Sequence, residues 1–181
     1  MIYLSSNSIY GKIDTKILNE KSLPNPIDAY GKSKLDSEKI FSNLYKKKYL
    51  ENLLILRLPG VIGKKSKHNT ISDISKKLKK QKKIFIYNGN YRFNSVIHVL
   101  NLVKFLSKII YKKFGFKTIN LASSKPIFFI DIVRKLINKI NKNCLLENKN
   151  IKPIHLISLK EAKNFGYIPL SVSQTIKKYL N

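Results

Sequence analysis

Short apolar runs of strand length alternate along this chain with longer segments of helical periodicity, and that alternation restricts the fold more than any other feature. Residues 2–6 (Ile-Tyr-Leu-Ser-Ser) and 53–58 (Leu-Leu-Ile-Leu-Arg-Leu) read as buried strands, and 84–87, 96–99 and 118–121 as further short extended stretches. The apolar positions Leu35, Ile40, Phe41 and Leu44 fall at helical spacing over 29–48, with Asp28 as the N-cap. Helices are also predicted over 70–80, 100–111, 127–140 and 172–180. Residues 7–29 read as a loop marked by Pro24 and Pro26, and Asn88-Gly89 as a turn. Strands that alternate with helices point to an α/β fold with a mainly parallel sheet.

Composition narrows the class. With 181 residues, 43% of them hydrophobic, the chain suits one domain with a real core. It has no run of about eighteen apolar residues, so no membrane-spanning helix is expected. Its start, Met1-Ile2-Tyr3-Leu4-Ser5-Ser6, does not read as a secretory signal. The single cysteine, Cys144, sits in a polar stretch beside Asn143 and fits a reducing, cytoplasmic setting. The 36 basic residues against 10 acidic ones raise the question of nucleic acid. Arginine, which base reading favours, is confined to Arg57, Arg92 and Arg134, and the lysines are spread along the whole chain. No specific nucleic-acid or membrane partner is expected; a basic nucleic-acid-binding protein is kept as an alternative. The lysine-rich stretch 76–83 reads as a solvated helix face. His68, His98 and His155 are far apart and lack metal-ligand spacing, so no metal is expected, and His98 lies in an apolar run where a core histidine fits.

The strongest local signal is Tyr30-Gly31-Lys32-Ser33-Lys34. Tyr30 and Lys34 are four apart and share one helix face. An ammonium beside a phenol favours the phenolate and makes the phenol usable as a general acid/base. Upstream, Tyr3-Leu4-Ser5-Ser6-Asn7-Ser8-Ile9-Tyr10-Gly11 ends a strand in hydroxyls, where open α/β sheets place their ligands. Downstream, Leu56-Arg57-Leu58-Pro59-Gly60-Val61-Ile62-Gly63 leads another strand into a ligand-side loop.

With these segments in order, the chain resembles the extended short-chain dehydrogenase/reductases, specifically the NAD-dependent epimerase/dehydratase family of sugar-nucleotide enzymes. The family's S-S-x-x-x-Y-G corresponds to Ser5 through Gly11. Its E…P…P…Y-G-x-S-K-x-x-x-E pattern corresponds to Glu20, Pro24, Pro26, Tyr30, Gly31, Ser33, Lys34 and Glu38, and its L-R-x-x-x-V-x-G to Leu56 through Gly63. Asn94 through Val99, Asn120-Leu121-Ala122-Ser123 and Phe165-Gly166-Tyr167-Ile168-Pro169 are similar to its later segments.

The resemblance implies a partial Rossmann-like doubly wound parallel sheet over 1–63. A small C-terminal α/β substrate-binding subdomain would occupy 64–181, with about 91–123 returning to the sheet. It implies NAD or NADP as cofactor and a sugar nucleotide as substrate. Ser6, Tyr30 and Lys34 would be catalytic. Ser5, Tyr30, Lys34 and Pro59 would hold the cofactor, and Ser6, Ser8, Arg92 and Asn94 the substrate. The expected partner is a homodimer mate or a separate N-terminal half.

Three departures from the family pattern matter. No G-x-x-G-x-x-G turn for the cofactor's phosphates occurs in the sequence. The strand at 2–6 matches the family's fifth, so about 100 residues, at about 30 per βαβ unit, are expected to be lacking. The chain alone is therefore expected to bind cofactor weakly or not at all and to be inactive, a complementing fragment being the alternative. Second, the family's phosphate-binding arginine aligns near Asn94, with Arg92 two residues earlier. Third, Asn101 stands where an acidic residue is usual. The 4,6-dehydratases place Asp-Glu after the catalytic hydroxyl; here Asn7-Ser8 follows Ser6, which favours an epimerase or ketoreductase. The residues do not choose the sugar, or between NAD and NADP.

Overall fold

A computed structural model describes residues 1–11, 15–149, 151 and 155–181. Its centre is a three-stranded parallel sheet in the order β1 (Ile2–Ser6), β3 (Leu53–Leu58), β8 (Phe116–Asn120). Leu53 through Leu56 are buried on both faces of the middle strand, which is why that run is continuously apolar rather than alternating. The register sets Ser5 opposite Arg57 and Ser6 opposite Leu58, so β1 and β3 end side by side.

After β1 the chain turns through a 3-10 helix (Asn7–Tyr10) that Ser6 caps. Gly11 follows at φ +57°, and a Cβ there would lie 1.8 Å from the Asn25 carbonyl oxygen, so only glycine fits. Strand β2 (Ile17–Leu18) lies inside the segment read as loop, and 12–14 of that loop lie outside the described residues. Helix α1 (Ala29–Lys46) starts where expected: the Asp28 carboxylate accepts the Gly31 N–H at 2.6 Å. It ends two residues before the predicted limit, ahead of Lys48 at φ 62°.

The second half is built from short paired elements. Strand β4 (Gly60–Ile62) leads to α2 (Thr70–Leu78), whose capping box pairs Asn69 with Ser72. Strands β5 (Lys83–Tyr87), β6 (Arg92–Phe93) and β7 (Val96–His98) precede α3 (Val99–Ile109). After β8 come β9 (Ile127–Phe128), α4 (Phe129–Ile140), β10 (Leu145–Lys149), β11 (Leu156–Ile157), α5 (Lys160–Asn164) and α6 (Val172–Leu180). The pairs β4–β7, β5–β10 and β2–β11 are parallel, and β6–β9 is antiparallel. The fold is thus α/β with parallel strands, as the alternation predicts. Among the described residues no helix is long and apolar enough to cross a membrane.

Among the described residues two large apolar cores hold these layers, and a small third gathers Ile9, Tyr10 and Leu18. One large core gathers Ile62, Ile71, Ile84, Ile86 and the buried face of α4, whose Phe129, Ile132, Val133, Leu136 and Ile137 follow helical spacing. Cys144 is buried in this core although its sequence neighbours are polar, because a single inward position at a turn leaves no periodicity to read. The other core packs Leu54, Leu56, Ile119 and Leu121 of the sheet side against Leu102 and Phe105 of α3, and includes Ala162 and Tyr167. Lys76 and Lys77 are exposed on α2, as expected of a solvated helix face, whereas Lys79 and Lys80, also exposed, lie past the end of that helix.

Two positions in this frame generate measurable consequences. Gly31 lies where a Cβ would stand 2.6 Å from the Ser8 carbonyl oxygen and 3.0 Å from Pro26 Cβ, so the start of α1 presses against the turn after Ser6. Gly31→Ala gains about 0.5–1 kcal/mol of helix propensity but costs about 1–3 kcal/mol of overpacking. The variant should therefore unfold at lower urea than the wild type; equal or higher stability would contradict the close approach. His98 is buried and its Nδ1 accepts the Leu100 N–H at 3.2 Å, capping α3. Burial, helped by Lys178, lowers its pKa below the ordinary histidine value. Below about pH 6.5 the unfolded chain takes up a proton that folded His98 resists, so stability falls as pH falls. Burial lowers the His155 pKa too, so it adds in the same direction. His98→Asn, which keeps a cap without titrating, should lose less stability between pH 7.5 and pH 5 in urea unfolding; an unchanged loss would refute the assignment.

Candidate active site

The carboxyl ends of β1 and β3, the start of α1 and the start of α2 surround a cleft of about 900 Å³. Each wall follows from local chemistry already on the chain. Ser6 is the last residue of β1; its Oγ accepts the Ser8 N–H at 3.1 Å, which turns the chain sharply, and its hydroxyl donates to Ser8 Oγ at 3.1 Å. Tyr30 and Lys34 occupy successive turns of α1 on the side facing β1. The Lys34 ammonium donates to the Leu4 carbonyl at 3.0 Å and stands 5.2 Å from the Tyr3 ring centre and 5.7 Å from that of Tyr30. Tyr30 is 55% exposed and so open to a ligand, whereas Ser6 is 8% exposed at the base of the strand end. Pro59 and Gly60, just past β3, complete this end.

Of the residues singled out in the sequence, Ser5, Ser6, Ser8, Tyr30, Lys34 and Pro59 all line this one cleft. Ser5 lines it, but its hydroxyl is donated to Glu38 Oε1 at 2.5 Å. Arg92 and Asn94 are not among the lining residues; their neighbours Phe93 and Ser95 are. Arg92 is exposed with its guanidinium 6.0 Å from the Phe128 ring centre. Asn94 is 4% exposed, and its amide bonds both the N–H and the carbonyl of Ile157 at 2.9 Å, holding β11 in place. Asn101 likewise serves the fold, accepting the Tyr167 hydroxyl at 2.9 Å and the Leu170 N–H at 3.2 Å and donating to the Ile168 carbonyl at 3.0 Å.

The opposite wall went unread in the sequence. Lys67, His68, Asn69 and Thr70 line the cleft from the start of α2, and His155 lines it from the segment before β11. The Asn69-x-x-Ser72 capping pattern was the available signal, since a capped helix start directs N–H groups outward. Burial keeps the His155 pKa below the ordinary value, so its ring is neutral near pH 7. His155 and His68 form no metal-binding group with other described residues.

Beneath the cleft lies a buried polar network. Arg57 donates to Glu38 through Nε at 3.1 Å and Nη2 at 2.8 Å, and through Nη1 to the Tyr10 hydroxyl at 2.6 Å. Tyr10 in turn donates to Asn120 Oδ1 at 2.9 Å. Burial works against the Arg57 charge, but the Glu38 hydrogen bonds and the Tyr10 oxygen outweigh it and hold its pKa above the ordinary value. Burial pushes the Tyr10 phenol up, against the pull of Arg57, so it stays a neutral donor.

The donor set at the β1 end suits a ribose-linked aromatic ring. The Tyr30 hydroxyl and Lys34 ammonium can hold ribose hydroxyls beside the flat, apolar Pro59. A strand-end alcohol, a phenol and an ammonium in one cleft can orient a substrate hydroxyl and move its proton.

Comparison with known proteins places the chain in a family and fixes its fold. Residues 1–163 match the family model described as the RmlD substrate binding domain. An uncharacterised protein of Methanocaldococcus jannaschii is 25% identical over 190 residues, covering 100% of this chain and 58% of that protein. The UDP-glucuronic acid 4-epimerase from Bacillus cereus, solved in complex with NAD, superposes with a TM-score of 0.83 at 20% identity, over 99% of this chain and 59% of its own. A dTDP-glucose 4,6-dehydratase from Bacillus anthracis, with NAD, gives 0.78 at 18% identity over 99% and 59%. RMD from Pseudomonas aeruginosa, complexed with NADPH, gives 0.77 at 16% over 99% and 63%. The chain thus spans about three fifths of the length of these relatives. Their shared fold is the Rossmann type that the sequence resemblance implies, and the chain belongs to the RmlD substrate binding domain family.

Proposed function

We propose that this chain carries the acid/base and sugar-nucleotide-binding part of an NAD(P)-dependent epimerase or ketoreductase. The observation that carries the reading is the convergence of Ser6, Tyr30 and Lys34 on one cleft, with Lys34 anchored on the Leu4 carbonyl between the two tyrosine rings. Ser6 orients the reacting sugar hydroxyl. Tyr30 takes that hydroxyl's proton on its phenolic oxygen as the C–O bond gains double-bond character, and returns it in the reverse direction. Lys34 stabilises the phenolate and holds the ribose. A bound nicotinamide would supply the hydride-transfer chemistry at the carbon that bears the hydroxyl. Tyr30, Lys34 and Pro59 are the residues that would hold it.

The other wall suits the rest of the substrate. Lys67 and the start of α2, capped at Asn69, favour an anion such as the diphosphate of a sugar nucleotide. Asn7 and Ser8 carry no acid for eliminating water, which supports an epimerase or reductase over a dehydratase. These 181 residues hold no glycine-rich turn for the cofactor's phosphates, so we expect cofactor binding by them alone to be weak. A homodimer mate or a nucleotide-binding half is the expected partner, in the cytoplasm. The exposed lysines are scattered over several helices, which supports non-specific rather than specific nucleic-acid attraction.

Titration calorimetry of the chain tests the reading. UDP-glucose or dTDP-glucose should release heat without NAD, and free glucose should not. Tyr30→Phe should keep this affinity within about twofold, yet lower turnover by roughly 10² once the nucleotide-binding half is supplied. Absence of binding by every nucleotide sugar, or wild-type turnover in the variant, would contradict it.

A further inference from the structure

Ser5 lines the cleft and Glu38 and Arg57 are bonded behind it, yet proton transfer between Ser6, Tyr30 and the substrate makes no use of them. Helix α1 is an 18-residue element in which only Gly31 and Glu38 are fully buried. Its apolar contacts come from partly buried side chains, Phe41 on Tyr3 at 4.8 Å and Tyr45 on Phe116 at 5.4 Å between ring centres, with Leu35 on Ile9, Tyr10 and Leu18. Such a half-buried face sets a helix's register less sharply than directional bonds do. Two side-chain hydrogen bonds join it to β1 on successive turns. Lys34 donates to the Leu4 carbonyl at 3.0 Å, and Ser5 donates to Glu38 at 2.5 Å. The Glu38 carboxylate is also held through both oxygens by Arg57 on β3, and Arg57 reaches the Tyr10 hydroxyl in the turn that begins at Ser6.

We propose that the Ser5–Glu38–Arg57 chain of hydrogen bonds positions the acid/base pair: it sets the register of α1 against β1, and so keeps the Lys34 ammonium on the Leu4 carbonyl beside Ser6. These three are positioning residues, acting through Lys34. The purpose of the device rests on the functional reading above; its existence does not. Ser5 is the informative member. Removing its hydroxyl cuts one of the two hydrogen bonds between strand and helix but leaves the Arg57–Glu38 ion pair whole.

The test reads side-chain nitrogen signals of the ¹⁵N-labelled chain by NMR, without ligand. The Lys34 ammonium, assigned with Lys34→Arg, should exchange slowly with water in the wild type. Ser5→Ala should speed that exchange by about tenfold or more, the scale of one hydrogen bond to a charged group. The Arg57 Nε–H should stay protected in the same sample, which shows an intact fold. Ser5→Thr, which keeps a hydroxyl, should retain slow Lys34 exchange. An unchanged Lys34 signal in Ser5→Ala overturns the proposal, as does loss of Lys34 protection in Ser5→Thr with Arg57 still protected. Loss of the Arg57 signal in both variants also overturns it, since Ser5 would then hold the fold rather than the helix register. Adding UDP-glucose to the wild-type sample separates the two ideas: absence of binding counts against the proposed function and leaves the Lys34 result standing.

Discussion

The ion pair between Arg57 and Glu38 is the constraint around which the rest of the molecule is arranged. Both side chains are withdrawn from water, at 9% and 6% exposure. Two charges there are tolerable only because each is closely bonded: Glu38 accepts from Arg57 and Ser5, and Arg57 donates also to Tyr10 and, at 3.3 Å, to the Glu20 carbonyl. Breaking such a pair from one side typically costs about 3–5 kcal/mol, because the surviving charge is left buried alone. Replacing both by apolar groups can be neutral, so the pair is better understood as specifying an arrangement than as adding stability. What it specifies is the mutual seating of β1, β3, α1 and the turn after Ser6.

From that seating the cleft follows. Parallel strands end at the same level, so β1 and β3 deliver Ser6 and Pro59 to one rim. Gly31 lets the start of α1 come within contact of the Ser8 carbonyl, which brings Tyr30 to the same rim. Strand β4 then carries the chain across to the α2 start, where Asn69 and Thr70 face the cleft from the other side. The two walls differ in chemistry. One offers hydroxyls and an ammonium, suited to proton transfer; the other offers a capped helix start and a lysine, suited to an anion.

The sequence made the frame legible where the pattern is local. The continuous apolar run at 53–58, Asp28 ahead of a helical periodicity, and two polar residues four apart at Tyr30 and Lys34 each carry their structural meaning within a few residues. Strands of two residues do not: Ile17–Leu18, Arg92–Phe93, Ile127–Phe128 and Leu156–Ile157 exist because a partner strand pairs with them, and no periodicity shows in so short a span. Five-residue β10 escaped for another reason, its alternation carrying only Leu146 and Asn148 inward among polar neighbours. The site divides the same way. The hydroxyls at a strand end and the helix pair could be placed in one cleft in advance. Where the chain passes through Arg92, Phe93, Asn94 and Ser95, alternate side chains take opposite faces, and a shift of one residue separates lining from support. Asn94 looks like a substrate-binding polar residue in the sequence, but its amide, like that of Asn101, satisfies backbone groups that burial would otherwise leave unpaired.

The most direct measurement is a crystal structure of the chain with a bound UDP-sugar. The account predicts a sugar hydroxyl within hydrogen-bonding distance of both Ser6 Oγ and the Tyr30 hydroxyl, with the diphosphate at the start of α2. A sugar nucleotide seated elsewhere, or one whose sugar touches neither Ser6 nor Tyr30, would contradict it.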